Sequence, residues 1–108
     1  MLQYIYRKMK CLFKVLTHIK ETYLYFRRGI NESVSDFCLF YNKNHVEPIG
    51  NIEIGKIMSL LGIKAFHKTI TSVHLNQKKR TTSVRWYYIS YEELNLIFNE
   101  LREASQDN

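Results

Sequence analysis

The run NIEIGKIMSLLGIKAFHKTITSVHLNQKKRTTSVRWYYISY, residues 51–91, decides the fold. Its first part has helical spacing. Ile54, Ile57, Met58 and Leu61 fall on one face, Asn51 is placed to cap the start, and Gly62 is placed to end the helix. From Thr69 the period changes. Ile70 to Leu75 and Thr81 to Ile89 are rich in β-branched and aromatic residues, as two strands of a hairpin require. Between them Asn76-Gln77-Lys78-Lys79-Arg80 is polar and cationic, so the spacing predicts a solvent-exposed turn. A helix feeding a hairpin with a basic tip is the minimal form of a winged helix. The expected class is therefore α+β, with one winged-helix domain over residues 1–108.

On the return strand, alternation sets Val84, Trp86 and Tyr88 on one side and Arg85, Tyr87 and Ile89 on the other, one of which is expected to be core. Ser90 to Glu93 then reads as a capping box opening a last helix, 91–104, with Leu94, Ile97, Phe98 and Leu101 on its apolar face. Its acids at 92, 93, 100 and 103 are expected on a solvated surface facing away from phosphate, and Ser105 to Asn108 is expected to fray.

Upstream, residues 31–43 predict a second helix, capped by Asn31 or Ser33, whose Val34, Phe37, Cys38 and Tyr41 share a core face. Asn42 to Gly50 reads as a connection, because Pro48 disfavours helix at Glu47. Two helices separated by this break stand in a helix-turn-helix relation. Residues 2–26 carry the longest pattern: Leu2, Ile5, Met9, Leu12, Leu16, Ile19, Tyr23 and Phe26 alternate spacings of three and four. Arg7, Lys8, Lys10, Lys14 and Lys20 lie outside the stripe, and Gly29 after Arg27 and Arg28 is expected as the C-cap. Three readings of the stripe are open. It packs on the domain's own core, with Phe13 and Val15 widening the face; it pairs two copies as a homodimer; or it lies on a membrane surface or serves as a transit peptide, for which Arg and Ser are too few.

Composition excludes several classes. The net charge is +6, and it is unevenly placed: residues 1–28 hold seven Lys or Arg against one acid, residues 63–90 hold six against none, and residues 91–108 hold one against five. A surplus so located favours anionic partners. Cys11 and Cys38 form no CxxC pair, and His18, His45, His67 and His74 lack partner cysteines at metal-site spacing. No metal or cofactor is expected, and a reducing intracellular compartment, cytoplasm or nucleus, is the simpler assumption. No apolar run reaches the length of a membrane span. No nucleophile–base pair, carboxylate pair or phosphate loop stands at interpretable spacing, so no enzyme is expected.

The run Val34-Ser35-Asp36-Phe37 through Tyr41, then Glu47-Pro48-Ile49-Gly50-Asn51, Ile54-Gly55-Lys56, Leu60-Leu61-Gly62-Ile63-Lys64 and the aromatic group Trp86-Tyr87-Tyr88, resembles the C-terminal winged helix of poxvirus and phage primase-helicases, over about residues 33–89. The resemblance implies the DNA-binding role of that module in viral or mobile-element replication or transcription. The family's ATPase loop is absent, so no helicase or primase activity carries over. The long basic first helix and the acidic last helix depart from the pattern.

From the charge pattern, nucleic acid is the expected partner, double-stranded DNA foremost. Asn51 and Lys56 on the third helix, Lys64, His67 and Lys68 after it, Lys78, Lys79 and Arg80 at the wing tip and Arg85 on the return strand are the candidate contacts. Backbone neutralisation is the expected mode, because the third helix offers few bidentate readers of base edges. The alternative is a protein-interaction or dimerisation module built on the first helix.

Overall fold

The structure is a computed structural model and describes residues 2–73 and 79–106. Helix α1 (Leu2–Ile19) runs into a five-residue π-helical segment (Lys20–Leu24). Strand β1 (Ile30–Ser33), helices α2 (Val34–Lys43) and α3 (Asn51–Leu60), strands β2 (Phe66–Val73) and β3 (Lys79–Ile89) and helix α4 (Tyr91–Gln106) come next. The class is α+β: among the described residues there are four α-helices and an antiparallel sheet of three strands in the order β1-β3-β2. This arrangement is compatible with a winged-helix-like fold.

Strand β1 corrects the expected start of the second helix. Ile30 to Ser33 pairs with β3, Ile30 opposite Ile89 and Ser33 opposite Trp86, because Ile30 gains a buried partner there. Helix α2 begins only at Val34, with Ser33 as its cap: the Asp36 N–H donates to Ser33 Oγ at 3.0 Å.

The first helix departs from its stripe. Val15, Ile19 and Tyr23 are buried and Cys11, Leu12 and Leu16 pack against them, whereas Phe13 is exposed. The intramolecular reading thus holds for the described middle of the stripe. At the π-helical segment the Tyr25 N–H reaches the Lys20 carbonyl, five residues back, and the extra residue in this turn rotates the end of the helix. Phe26 is consequently solvent-facing. The chain then reverses with Arg28 N–H on the Tyr23 carbonyl and Arg27 N–H on the Leu24 carbonyl, Arg27 taking the left-handed position at φ 54°. Gly29 is therefore no C-cap. A methyl there would collide with the Ile89 carbonyl oxygen, so glycine is required where this segment passes the end of β3.

The cap of α3 is also corrected. Gly50 holds the extended cap position and Asn51 is the first helical residue, because the Ile54 N–H already bonds the Gly50 carbonyl at 3.0 Å. The other end forms as expected. Gly62 sits at φ 83°, its N–H bonds the Ser59 carbonyl, the Ile63 N–H bonds the Met58 carbonyl, and Ile63 and Met58 are both buried. The link before α3 is held by Asn42, whose amide accepts from Ile49 N–H at 2.7 Å and donates to the Ile49 carbonyl at 3.0 Å. Cys38 is buried beside it and its thiol donates to the same carbonyl, while burial pushes that thiol's pKa up. At the start of α4 the Glu93 N–H donates to Ser90 Oγ at 3.2 Å, half of the expected capping box; the helix runs to Gln106 rather than ending at 104.

The core joins Val15, Ile19 and Tyr23 to Ile30, Phe37, Tyr41, Ile54, Met58, Tyr87, Ile89 and Leu94. Tyr23 stacks on Phe37 and donates its hydroxyl to Glu32, and Phe37 meets Tyr87 edge-on. His18 is 3% exposed, set edge-on to Phe37 and Tyr41 with Thr22 Oγ1 3.4 Å from Nδ1. Burial, then the neighbouring charge of His45, lowers its pKa from 6.5 to about 4.

These contacts set the expected response of stability to substitution. Gly29→Ala should cost about 1–3 kcal/mol by overpacking against backbone, read as a lower urea midpoint. Gly55→Ala, in a helix interior with room for the methyl, should stabilise by about 0.5–1 kcal/mol and raise that midpoint. For His18, the unfolded chain takes up the proton first as pH falls. Its contribution is fully present above about 6.5 and is lost toward pH 4, on the order of 3 kcal/mol in all. His18→Phe should flatten that stretch of the stability–pH curve; an unchanged slope would assign it to other groups.

Candidate nucleic-acid interface

Strands β2 and β3 pair from Phe66 opposite Trp86, beside the body, to Val73 opposite Lys79 at the far end. The hairpin is thus longer than the sequence implies. Phe66 to Thr69 already belongs to β2, and Lys79 lies in β3 opposite Val73 rather than in a turn, while Arg80, opposite Ser72, joins the return strand as its run to Ile89 implies. Paired backbone continues past the apolar run because threonine and serine line both strands, Thr69 opposite Ser83 and Thr71 opposite Thr81. Lys78 lies outside the described residues.

The alternation of β3 creates two different surfaces. On the side where Tyr87 and Ile89 enter the core, the next residue outward is Arg85, opposite His67, and beyond it stand the Ser83–Thr69 and Thr81–Thr71 pairs. All six of these residues outside the core are exposed. Ser83 Oγ lies 3.3 Å from His67 Nδ1. Arg85 reaches α3, since a methyl at position 55 would stand 3.7 Å from its Nη2. Burial raises the pKa of Tyr87, and the positive charge of Arg85 acts against that rise. A guanidinium therefore sits where the buried sheet face ends and α3 begins. It can offer a fork of N–H donors to a phosphate.

The opposite surface is aromatic. Lys68 Nζ lies 4.1 Å from the centre of the Trp86 ring, and Trp86 Nε1 donates to Asn31 Oδ1 at 2.8 Å. Phe66 stands across from Trp86 and Tyr88 across from Asn31. Tyr88 is 68% exposed.

The candidate contacts are accordingly divided. His67 and Arg85 form a cross-strand pair beside α3, while Lys68 faces the other way. Asn51 and Lys56 are exposed on α3 and Lys64 is exposed in its link to β2. Ile52 and Leu60 are exposed on the same helix, so its solvent side is only partly polar. Sequence reasoning leaves out the hydroxyl-bearing pairs and the role of Asn31. The period-two pattern of Thr81, Ser83 and Arg85 is the available signal for the first; Asn31 carries none, because it reads as part of a helix.

Among the described residues, no group of three or more His, Cys, Asp or Glu side chains could hold a metal ion, and no helix is long and apolar enough to cross a membrane. Compared with family models, curated proteins and solved structures, the chain matches none of them.

Proposed function

We propose that this chain is a winged-helix protein that binds nucleic acid, double-stranded DNA foremost, chiefly through the phosphate backbone. The observation that carries the reading is the β2–β3 hairpin. It extends beyond the core as paired strands, exposed at residues 69–71 and 81–83, within a segment, residues 63–90, that holds six cations and no acid. The order of elements supports it: α2 and α3 form the helix pair, and β2 and β3 return as a wing in a sheet ordered β1-β3-β2. Arg85 beside Gly55 gives wing and third helix a common positive edge. Asn51, Lys56, Lys64, His67, Lys78, Lys79 and Arg80 extend the contact set. Weak sequence preference is in keeping with a helix whose exposed side carries Ile52 and Leu60 among few side chains able to read base edges. A role in viral or mobile-element replication or transcription fits the resemblance to the primase-helicase module.

Pairing of two copies through residues 2–26 is a second reading, with one observation in its favour. Met9 and Phe13 are exposed and, with Lys10, Lys14, Thr17 and His45, line an open groove of about 470 Å³. Lys14 there is paired with Glu47 at 3.3 Å, but two copies joined at this groove would bring their Lys10 side chains together with no complementary acid, so the nucleic-acid reading is preferred.

Replacing Lys78, Lys79 and Arg80 together with Ala should weaken duplex binding about tenfold or more for any sequence. The slope of log affinity against log salt should become shallower by about 0.9 for each phosphate that the variant no longer neutralises. Arg85→Ala should show the same kind of change with a smaller slope difference. Affinity and slope equal to the parent chain in both variants would remove the wing from the mechanism.

A further inference from the structure

We propose that the outer sheet face, built from Asn31, Phe66, Lys68, Trp86 and Tyr88, is a second nucleic-acid site that takes unpaired strands by base stacking. This face is turned away from the Arg85 edge and is separate from the duplex contact. Three observations carry it.

First, the Phe66 and Tyr88 rings stay available instead of being buried, while Trp86 is half-buried between them. Tyr88 is 68% exposed and Phe66 45%, although both sit on paired strands beside a core that buries Tyr87 to 1%. Phe66 and Tyr88 are diagonal neighbours across the pair with Trp86 between them, which separates such residues by about 7–8 Å. Successive bases of an extended strand can bridge that gap. Bases inside a duplex already stack on one another and present only their edges, so an aromatic platform selects unpaired ones.

Second, the charge is complementary. Lys68 stands within the aromatic group, 4.1 Å above the Trp86 ring, a cation within reach of a backbone phosphate of a strand stacked on Phe66 and Tyr88. Every described residue of β2 and β3 is neutral or basic. A protein partner would have to supply acids of its own to meet this face, whereas a nucleic acid brings one phosphate per nucleotide.

Third, the face is ordered in advance. Trp86 Nε1 is bonded to Asn31 Oδ1, which orients the indole and leaves the Asn31 amide nitrogen as a donor on the same exposed surface. A platform fixed before binding loses little side-chain freedom on contact.

Trp86 is the chain's sole tryptophan, so its fluorescence reports this face directly. Intact protein titrated with a short oligothymidylate should show quenched emission and saturable binding. Tyr88→Ala and Phe66→Ala should each weaken that binding about tenfold or more while leaving duplex affinity unchanged. Tyr88→Phe should restore it, because the ring and not the hydroxyl does the stacking. Circular dichroism of each variant confirms that it folds. Oligothymidylate binding unchanged in Tyr88→Ala and Phe66→Ala, or emission unmoved at saturation, overturns the proposal. So does sedimentation showing that Tyr88→Ala disperses a dimer, which would make the face a contact between copies. Because the duplex arm is measured beside the single-strand arm, loss of the wing's role and loss of this site are told apart.

Discussion

The alternation of strand β3 is the constraint on which the rest depends. Tyr87 and Ile89 point into the core, where full burial of a side chain such as Ile89 contributes about 1.5–3 kcal/mol. A slip of one residue would bury Trp86 and Tyr88 in their place and expose the two that now fit. Because β3 is the central strand, its register also sets β1 and β2. Everything that concerns function derives from that choice. Tyr87 facing inward puts Arg85 on the same side, at the edge of α3, and sends Trp86 and Tyr88 outward beside Asn31 and Phe66.

Alternation alone would leave α3 free to tilt away from this edge. Two pieces of local chemistry fix it. At its start, Asn42 pairs with both the N–H and the carbonyl of Ile49, doing for that residue what a neighbouring strand would do. At its end, Gly62 turns the chain so that Ile63 is buried and β2 can begin at Phe66. The sheet is held to the helices at its other side by the passage of Gly29 against Ile89, which admits no side chain.

The features legible in the sequence are local, and the hidden ones depend on partners far along the chain. Helix α3 and its glycine stop, the Ser33 and Ser90 caps and the split faces of β3 need only near neighbours, and each is found. Strand β1 is hidden because a four-residue strand containing Asn31 and Glu32 has almost no strand preference of its own; it exists because β3 is there to pair with it. Asn51 reads as the cap because asparagine prefers that position, yet Gly50 already has the required extended backbone. Gly29 reads as a C-cap because that is glycine's commonest use at a helix end, when its real neighbour is Ile89, sixty positions away. The π-helical segment has no residue signature at all, and so in the sequence Phe26 continues a stripe that the backbone has already rotated. For the candidate site, the basic residues are visible as composition, but their division between two faces requires the register.

That division bears on how charge can act. The acids of the last segment begin at Glu92 and Glu93, just beyond the body end of β3, while Lys79 stands at its far end. Ten residue steps along a strand are about 33 Å. The screening length at physiological salt is about 8 Å, so at that separation Glu92 and Glu93 do not cancel the field at the far end of the hairpin. Arg85 is nearer to them but also nearer to α3, and its field is correspondingly more local. Charge segregation in the sequence thus becomes an axis in the fold: a cationic hairpin at one end, an acidic helix starting at the other, and an aromatic face along the strands between, where attraction depends on contact rather than on reach.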